Sequence, residues 1–238
     1  MCERVNVSDH EGVRALLAMM GMNVNWQTDA PRYNIAPTQT LNVIKLDNAA
    51  SASQYISDLP SQFSLEAMNW GVSMNVKGKQ GQNVVKRVSN ARDDKVWSSY
   101  LWRSMIPTQR VLIPVNGFYE WRRENKKIAQ AYYIHPSQSK AMFLAGIYRA
   151  APEPSSKHEV SFITTSASEA MSAVHDRMPV VLTMQNEAMA WIQENDKDSL
   201  KQLMKPASNK SLRFTPVSNF VNKSSNEGIE CIQEVQAL

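Results

Sequence analysis

A single α+β domain, built on a curved, mostly antiparallel, barrel-like sheet with flanking helices, is the fold this sequence predicts. Three observations lead to it. Short apolar runs rich in β-branched and aromatic residues crowd the middle of the 238-residue chain, separated by turn residues. These runs do not alternate with helical patterns, which argues against a doubly wound parallel sheet. No linker is long or biased enough to mark a domain boundary, so residues 1–238 read as one unit.

The first predicted element is a helix. Ser8-Asp9-His10-Glu11 has the form of a capping box, and Val13, Leu16, Leu17 and Met20 recur at helical spacing up to Gly21. A polar, proline-punctuated stretch follows over residues 29–40. Strands are expected at 41–46, 111–115, 131–134, 142–148, 160–165 and 180–183. Helical patterns return at 186–195 and 198–204, and beyond Pro206 a last pair of short strands is expected. Residues 77–87, with Lys77, Lys79, Lys86 and Arg87 among glycine and amide residues, read as an exposed basic loop or hairpin.

Composition narrows the function classes. A hydrophobic fraction of 43% and a charged fraction of 20% suit a globular domain that buries its core without disulfides or a structural metal. The net charge of +4 is only weakly suggestive of an anionic partner. Cys2 and Cys231 lie at opposite ends and form no disulfide framework. The scattered His10, His135, His158 and His175, without a C-x-x-C, offer no zinc spacing. The N-terminus has no signal-peptide pattern, and no apolar run approaches the roughly 18 residues that span a bilayer. A cytoplasmic monomer without metal, cofactor or membrane partner is therefore expected.

Four features carry chemistry. Removal of Met1 would leave Cys2 with an α-amine and a thiol on one residue. Amines of that kind titrate at about 7.7–8.0 and thiols at about 8.5, so both are partly nucleophilic near neutrality. Such a 1,2-aminothiol condenses with an aldehyde, first to an imine and then to a five-membered thiazolidine. Two other readings stay open: an N-terminal thiol nucleophile that attacks amides, and a cysteine without function. Glu120 stands between aromatic residues in Gly117-Phe118-Tyr119-Glu120-Trp121, where partial burial would tune a carboxyl toward proton transfer; an exposed edge-strand glutamate is the plainer reading. His175-Asp176-Arg177, at the entrance to an apolar strand, suits a proton shuttle or a phosphate ligand, or a structural histidine. Ser89-Asn90-Ala91-Arg92 offers an amide that can orient a reacting group and a forked donor for phosphate.

Together these segments resemble the SOS-response-associated peptidase (SRAP) family. Its pattern stands here as Met1-Cys2-Glu3-Arg4, Arg32-Tyr33-Asn34-Ile35-Ala36-Pro37, Asn90-Ala91-Arg92, Gly117–Trp121 and His175-Asp176-Arg177-Met178-Pro179. The late Pro216-Val217-Ser218 and Val221-Asn222 also fit. The segments keep the family's order and span nearly the whole chain. The resemblance implies covalent capture of abasic sites in single-stranded DNA by Cys2, within DNA repair and the SOS response. It gives Asn90 the task of holding the amine or opened sugar, Glu120 the proton transfers, and His175 sugar ring opening and adduct reversal. Arg4, Arg92 and Arg177 would clamp phosphates, with Asn34, Met74, Trp121 and the basic residues Lys77, Lys79, Lys86 and Arg87 completing the DNA contacts.

Two departures stand out. Glu3 replaces the family's glycine beside the reactive cysteine, and Met74 lies where related proteins carry a tryptophan-containing wedge, so base stacking there would be weaker. A thiol peptidase or self-processing enzyme with Cys2 as nucleophile and His175 as base is the rival enzymatic reading, with strand-cleaving lyase activity also open. A non-covalent single-strand-binding module built on the basic segment is the rival binding reading.

Overall fold

The structure, a computed structural model, describes residues 2–22, 26, 30–46, 63–124 and 127–237. Met1, whose removal the aminothiol chemistry requires, lies outside them. In chain order the elements are β1 (Val5–Val7), α1 (His10–Met19), β2 (Arg32–Ile35), β3 (Thr40–Leu46), β4 (Phe63–Trp70), β5 (Val72–Lys77), β6 (Asn83–Val88), β7 (Asn90–Arg92), β8 (Arg110–Val115), β9 (Gly117–Glu124), β10 (Lys127–Pro136), β11 (Met142–Arg149) and β12 (Glu159–Ser166). They continue with α2 (Glu169–Ser172), β13 (Arg177–Pro179), β14 (Val181–Leu182), α3 (Gln185–Gln193), α4 (Lys197–Leu203) and β15 (Leu212–Val217).

The strands form two main sheets, antiparallel except where β12 runs parallel to β4 and β7. One sheet has the order β15-β10-β9-β1-β2. In the other, β12, β4, β3, β8 and β11 follow one another, and β11 pairs with β12 again. The curl stops short of a fully laced barrel, because β12 meets β4 over only Glu159↔Asn69 and Val160↔Trp70. Val5, Ile35, Val111, Ile113, Phe118, Ile134 and Phe162 fill the space between the sheets, all buried. A second apolar cluster packs α1 and α3 on the outer side of the curled sheet through Leu16, Leu17, Trp191, Ile192, Ile44 and Phe143.

Local chemistry accounts for the boundaries. The helix expected from residue 8 starts one residue later: Asp9 Oδ1 accepts from the Gly12 N–H at 2.9 Å, while Ser8 Oγ donates to Asn6 Oδ1. Such a cap contributes about 1 kcal/mol. The strand expected at 180–183 is shortened to β14, Val181–Leu182, and a separate strand, β13, precedes it at Arg177–Pro179. Val180 makes the crossing: its N–H donates to the Ile163 carbonyl of β12 at 2.9 Å, its carbonyl accepts from the Ala145 N–H of β11 at 3.0 Å, and Val181–Leu182 then pairs with β11. The pair of strands expected after Pro206 is one strand, β15, followed by two 3-10 turns, Asn219–Asn222 and Ile229–Cys231. Ser218 Oγ accepts from the Phe220 N–H and turns the chain there. Arg110, nearly fully buried, donates to the carbonyls of Trp191, Ile106, Pro107 and Glu194, which pins α3 and the turns before β8 to the sheet.

The basic segment is the hairpin β5–β6, a two-stranded sheet of its own. Gly71, at φ +113°, makes the bend into it, a conformation other residues rarely adopt. An isolated hairpin is marginal in water, so its anchorage matters. Glu159 supplies it: its carboxylate accepts from the Ser73 N–H at 3.0 Å and the Ser73 hydroxyl at 2.5 Å, and pairs with Arg87 and Arg149. Burial raises the Glu159 pKa, but these donors outweigh it and hold the carboxyl below its ordinary value. The stabilisation is therefore present above the usual carboxylate range and lost as pH falls through the lowered value. Glu159→Gln should speed amide exchange in β5–β6 about tenfold or more, consistent with charge-assisted bonds worth about 1.5–3 kcal/mol. Exchange in β8 and β11 should not change. Equal rates in the hairpin would assign its anchorage elsewhere.

Candidate active site

Strand β1 runs inside its sheet, between β9 and β2. Threading the N-terminal segment there leaves Cys2 fully buried, while the next two residues, Glu3 and Arg4, line a cleft of about 340 Å³ together with Glu120, Trp121, Arg123, His175 and Asn222. Asn90 Nδ2 donates to the Cys2 carbonyl at 2.9 Å. Asn90 itself is placed by the parallel pairing of β7 with β12, where it stands opposite Phe162. Its Oδ1 is buried and has no hydrogen-bond partner among the described residues.

Glu120 lies on β9, which Gly117 opens. A side chain at Gly117 would run into the Ile134 carbonyl at 2.6 Å and into Tyr133, so glycine is what lets β9 approach β10 this closely. Glu120 is only 3% exposed. Burial raises its carboxyl above the ordinary range, against the pull of His175. The plainer alternative, an exposed edge glutamate, is thereby excluded. Its charge also acts on Cys2, whose thiol is pushed far above the usual cysteine range, first by burial and then by Glu120. The expectation that the thiol is partly ionised near neutrality thus fails for the buried residue. Cys231, also buried and free, is raised to about 11 by burial. Both thiols are raised, so thiol acidity does not set Cys2 apart from Cys231.

His175 follows the short helix α2 and is held in two ways. Its Nδ1 lies 2.9 Å from Asp176 Oδ1 and 3.0 Å from the Arg177 N–H. A protonated Nδ1 can donate to the carboxylate, and an unprotonated one can accept from the backbone. The ring stays in place in either charge state.

The arginines divide by environment. Arg4 Nη1 donates to Asn34 Oδ1 and the Val221 carbonyl, both at 2.7 Å, and the guanidinium lies over Trp121. Its buried Nε has no hydrogen-bond partner among the described residues. Asn34 is fully buried, and its amide donates to the carbonyls of Val221, Lys223 and Asn226. Arg177 is largely buried against Asp93 and Thr164. Arg92 is exposed and paired through two nitrogens with Asp94. Met74, half-buried, and the exposed Lys77, Lys79, Lys86 and Arg87 lie on the β5–β6 hairpin; none of them lines the cleft. Arg123 and Asp93 escaped the sequence reading, since nothing sets them apart from other surface charges there.

Residues 1–224 match the family described as SOS response associated peptidase (SRAP). The chain belongs to the SRAP family. Among relatives of this SRAP chain, the abasic site processing protein YoqW of Bacillus subtilis is 29% identical over 207 residues, covering 85% of this chain and 86% of the relative. The abasic site processing protein HMCES of Xenopus tropicalis is 27% identical, covering 86% of this chain and 66% of the relative. A crystal structure of a Bacteroides thetaiotaomicron protein has the same fold, with a TM-score of 0.73 at 20% identity, covering 99% of this chain and 100% of that one.

The raised pKa of Glu120 makes a stability prediction. A carboxyl whose pKa rises on folding adds stability below the unfolded value, and that contribution disappears as pH climbs through the raised value. Glu120→Gln stays neutral throughout. Its Tm should equal that of the native protein near pH 4, close to the unperturbed carboxylate value of about 4.3. At pH 8 it should exceed it by about 2–4 °C for each kcal/mol relieved. A variant that melts at or below the native protein at pH 8 would mean that attraction to His175 outweighs desolvation.

Proposed function

We propose that this SRAP protein captures abasic sites in single-stranded DNA as a thiazolidine on Cys2, after removal of Met1. The observation that carries the reading is that Asn90 holds the buried Cys2 by its carbonyl and the charge of Glu120 acts on its thiol, while Glu3, Arg4, Glu120 and His175 line the adjoining cleft. An abasic sugar equilibrates with a free aldehyde, which an N-terminal aminothiol traps. The α-amine adds to the aldehyde carbon, and the carbinolamine loses water to give an imine. The S–H then adds across the C=N bond: sulfur bonds to carbon and the thiol proton ends on nitrogen. One water leaves, and no oxidant or reductant is needed.

The buried thiol supports this order of events. A thiol held protonated is a poor first nucleophile at neutral pH, whereas the amine is competent. The same burial disfavours the thiol-peptidase reading, in which the thiolate must attack first. Glu120, whose burial raises its carboxyl above the ordinary range, can in its protonated form give a proton to the departing hydroxyl and then move the thiol proton to nitrogen. His175 is assigned to opening the sugar ring and reversing the adduct. Asn90 Oδ1 is a buried acceptor available to the nitrogen of residue 2. Arg4 retains donors for a phosphate and is held by Asn34, while Arg177, paired with Asp93 and Thr164, is assigned to the frame. Trp121 is assigned to the cleft wall facing the DNA. Arg92 requires exchange of Asp94 for a phosphate.

Two experiments test the proposal. Mixed with an abasic single-stranded oligonucleotide and denatured, the protein should run as a shifted band, and its intact mass should lack one methionine. Cys2→Ala should abolish the band, Cys231→Ala should not, and Glu120→Gln should slow it about 10²-fold. A full band in Cys2→Ala would sink the adduct reading and favour a non-covalent binder.

The hairpin test measures non-covalent affinity in a Cys2→Ala background across a salt series. Arg87 is occupied by Glu159, which leaves Lys77, Lys79 and Lys86 as the cations assigned to phosphates, with Met74 as the wedge. Two or three contacts at roughly −0.7 each on single strands predict that changing the three lysines to alanine flattens the log–log salt slope by about 1.4–2.1. An unchanged slope would make the hairpin a solvated projection.

A further inference from the structure

We infer that Glu3, acting through Ser89, orients the Asn90 amide that holds Cys2. This rests on the adduct reading and deepens it. Three hydrogen bonds form one chain. Ser89 Oγ donates to Glu3 Oε1 at 3.2 Å, Asn90 Nδ2 donates to Ser89 Oγ at 3.2 Å, and Asn90 Nδ2 also donates to the Cys2 carbonyl at 2.9 Å. A hydroxyl has one proton and two lone pairs. A carboxylate can only accept, so it takes the Ser89 proton and turns a lone pair toward Asn90. The Cys2 carbonyl can also only accept. Both neighbours therefore demand the NH₂ side of the Asn90 amide, which fixes its flip and leaves Oδ1 as the acceptor for the reactive nitrogen.

The frame behind this chain is rigid. The Ser89 carbonyl accepts from the Trp70 indole N–H at 3.0 Å and from the Phe162 N–H at 3.1 Å. Ser89 and Asn90 are 8% and 7% exposed, whereas Glu3 is exposed at the cleft. A glycine at position 3 offers no carboxylate, and the Ser89 hydroxyl is then free to rotate and compete with Asn90 for its acceptors. The residue that departs from the family pattern thus becomes a positioning residue in this chain.

The test is the single-turnover rate of adduct formation on an abasic single-stranded oligonucleotide, using the full chain after methionine removal. Ser89→Ala and Glu3→Ala should each lower the saturating rate about three- to tenfold, the scale of one net hydrogen bond. The DNA concentration at half-maximal rate should stay put for Ser89→Ala. The double variant should be no slower than the slower single one. Glu3→Gln should recover at least half of the native rate, since its amide oxygen still accepts from Ser89. Glu3 is exposed, so its variants test the idea even if Ser89→Ala folds poorly.

Several results overturn the relay: single variants at native rates, multiplied losses in the double variant, a faster Glu3→Ala, or Glu3→Gln as slow as Glu3→Ala. If Cys2→Ala abolishes the adduct in the same assay, such a failure belongs to the relay alone. If Cys2→Ala still forms it, the adduct reading itself has failed.

Discussion

The constraint on which the rest depends is that the N-terminal strand is an interior strand. β1 is paired on both sides, by β9 and by β2, so the chain's first residues are fixed by backbone hydrogen bonds instead of fraying as most termini do. Tyr119 N–H donates to the Arg4 carbonyl and Asn116 N–H to that of Asn6, which extends the lock on either side of Val5. Residue 2 gains from this what an internal residue would have, a defined position, which the proposed capture chemistry requires. The cost is burial of a thiol and a carboxylate together, and both pKa values move accordingly.

The second fixing point is Asn34. A single buried amide reaches three carbonyls of the segment 221–226 and accepts from Arg4. Loss of any partner would leave a buried polar atom unsatisfied, which costs about 1–3 kcal/mol. The segment after β15 therefore folds back over β2 without forming a strand. It brings Asn222 to the cleft, where its Oδ1 accepts from the Trp121 indole N–H at 2.6 Å. N-terminus, β9 and C-terminal segment converge on the same cleft because their polar groups have no better partners.

Much of this was legible in the sequence. Core strands such as β8, β11 and β12 announced themselves by β-branched and aromatic runs, and α1 by its apolar period. Glu120 was legible because a carboxyl among aromatics after a buried strand has nowhere polar to go. The strands β2 and β4 were not, because their residues are mixed: Arg32-Tyr33-Asn34-Ile35 is a strand through its pairing with β1, a long-range fact. The last segment failed for the opposite reason. Its apolar residues suggested a strand, but Ser218 and Asn34 offered the backbone better partners than a ladder. For the site, residue types marked Cys2, Asn90, Glu120 and His175, while the internal pairing of Arg177 with Asp93 was invisible, because a salt bridge across 84 positions leaves no local pattern.

Under the proposed function, one cleft both makes and releases an adduct. Capture and reversal traverse the same steps, so each proton carrier must work in both directions. Burial moves the Glu120 carboxyl upward, toward the range in which one group can both give and take a proton. His175 meets the same requirement by geometry, since Asp176 and the Arg177 N–H offer its Nδ1 a partner in either charge state.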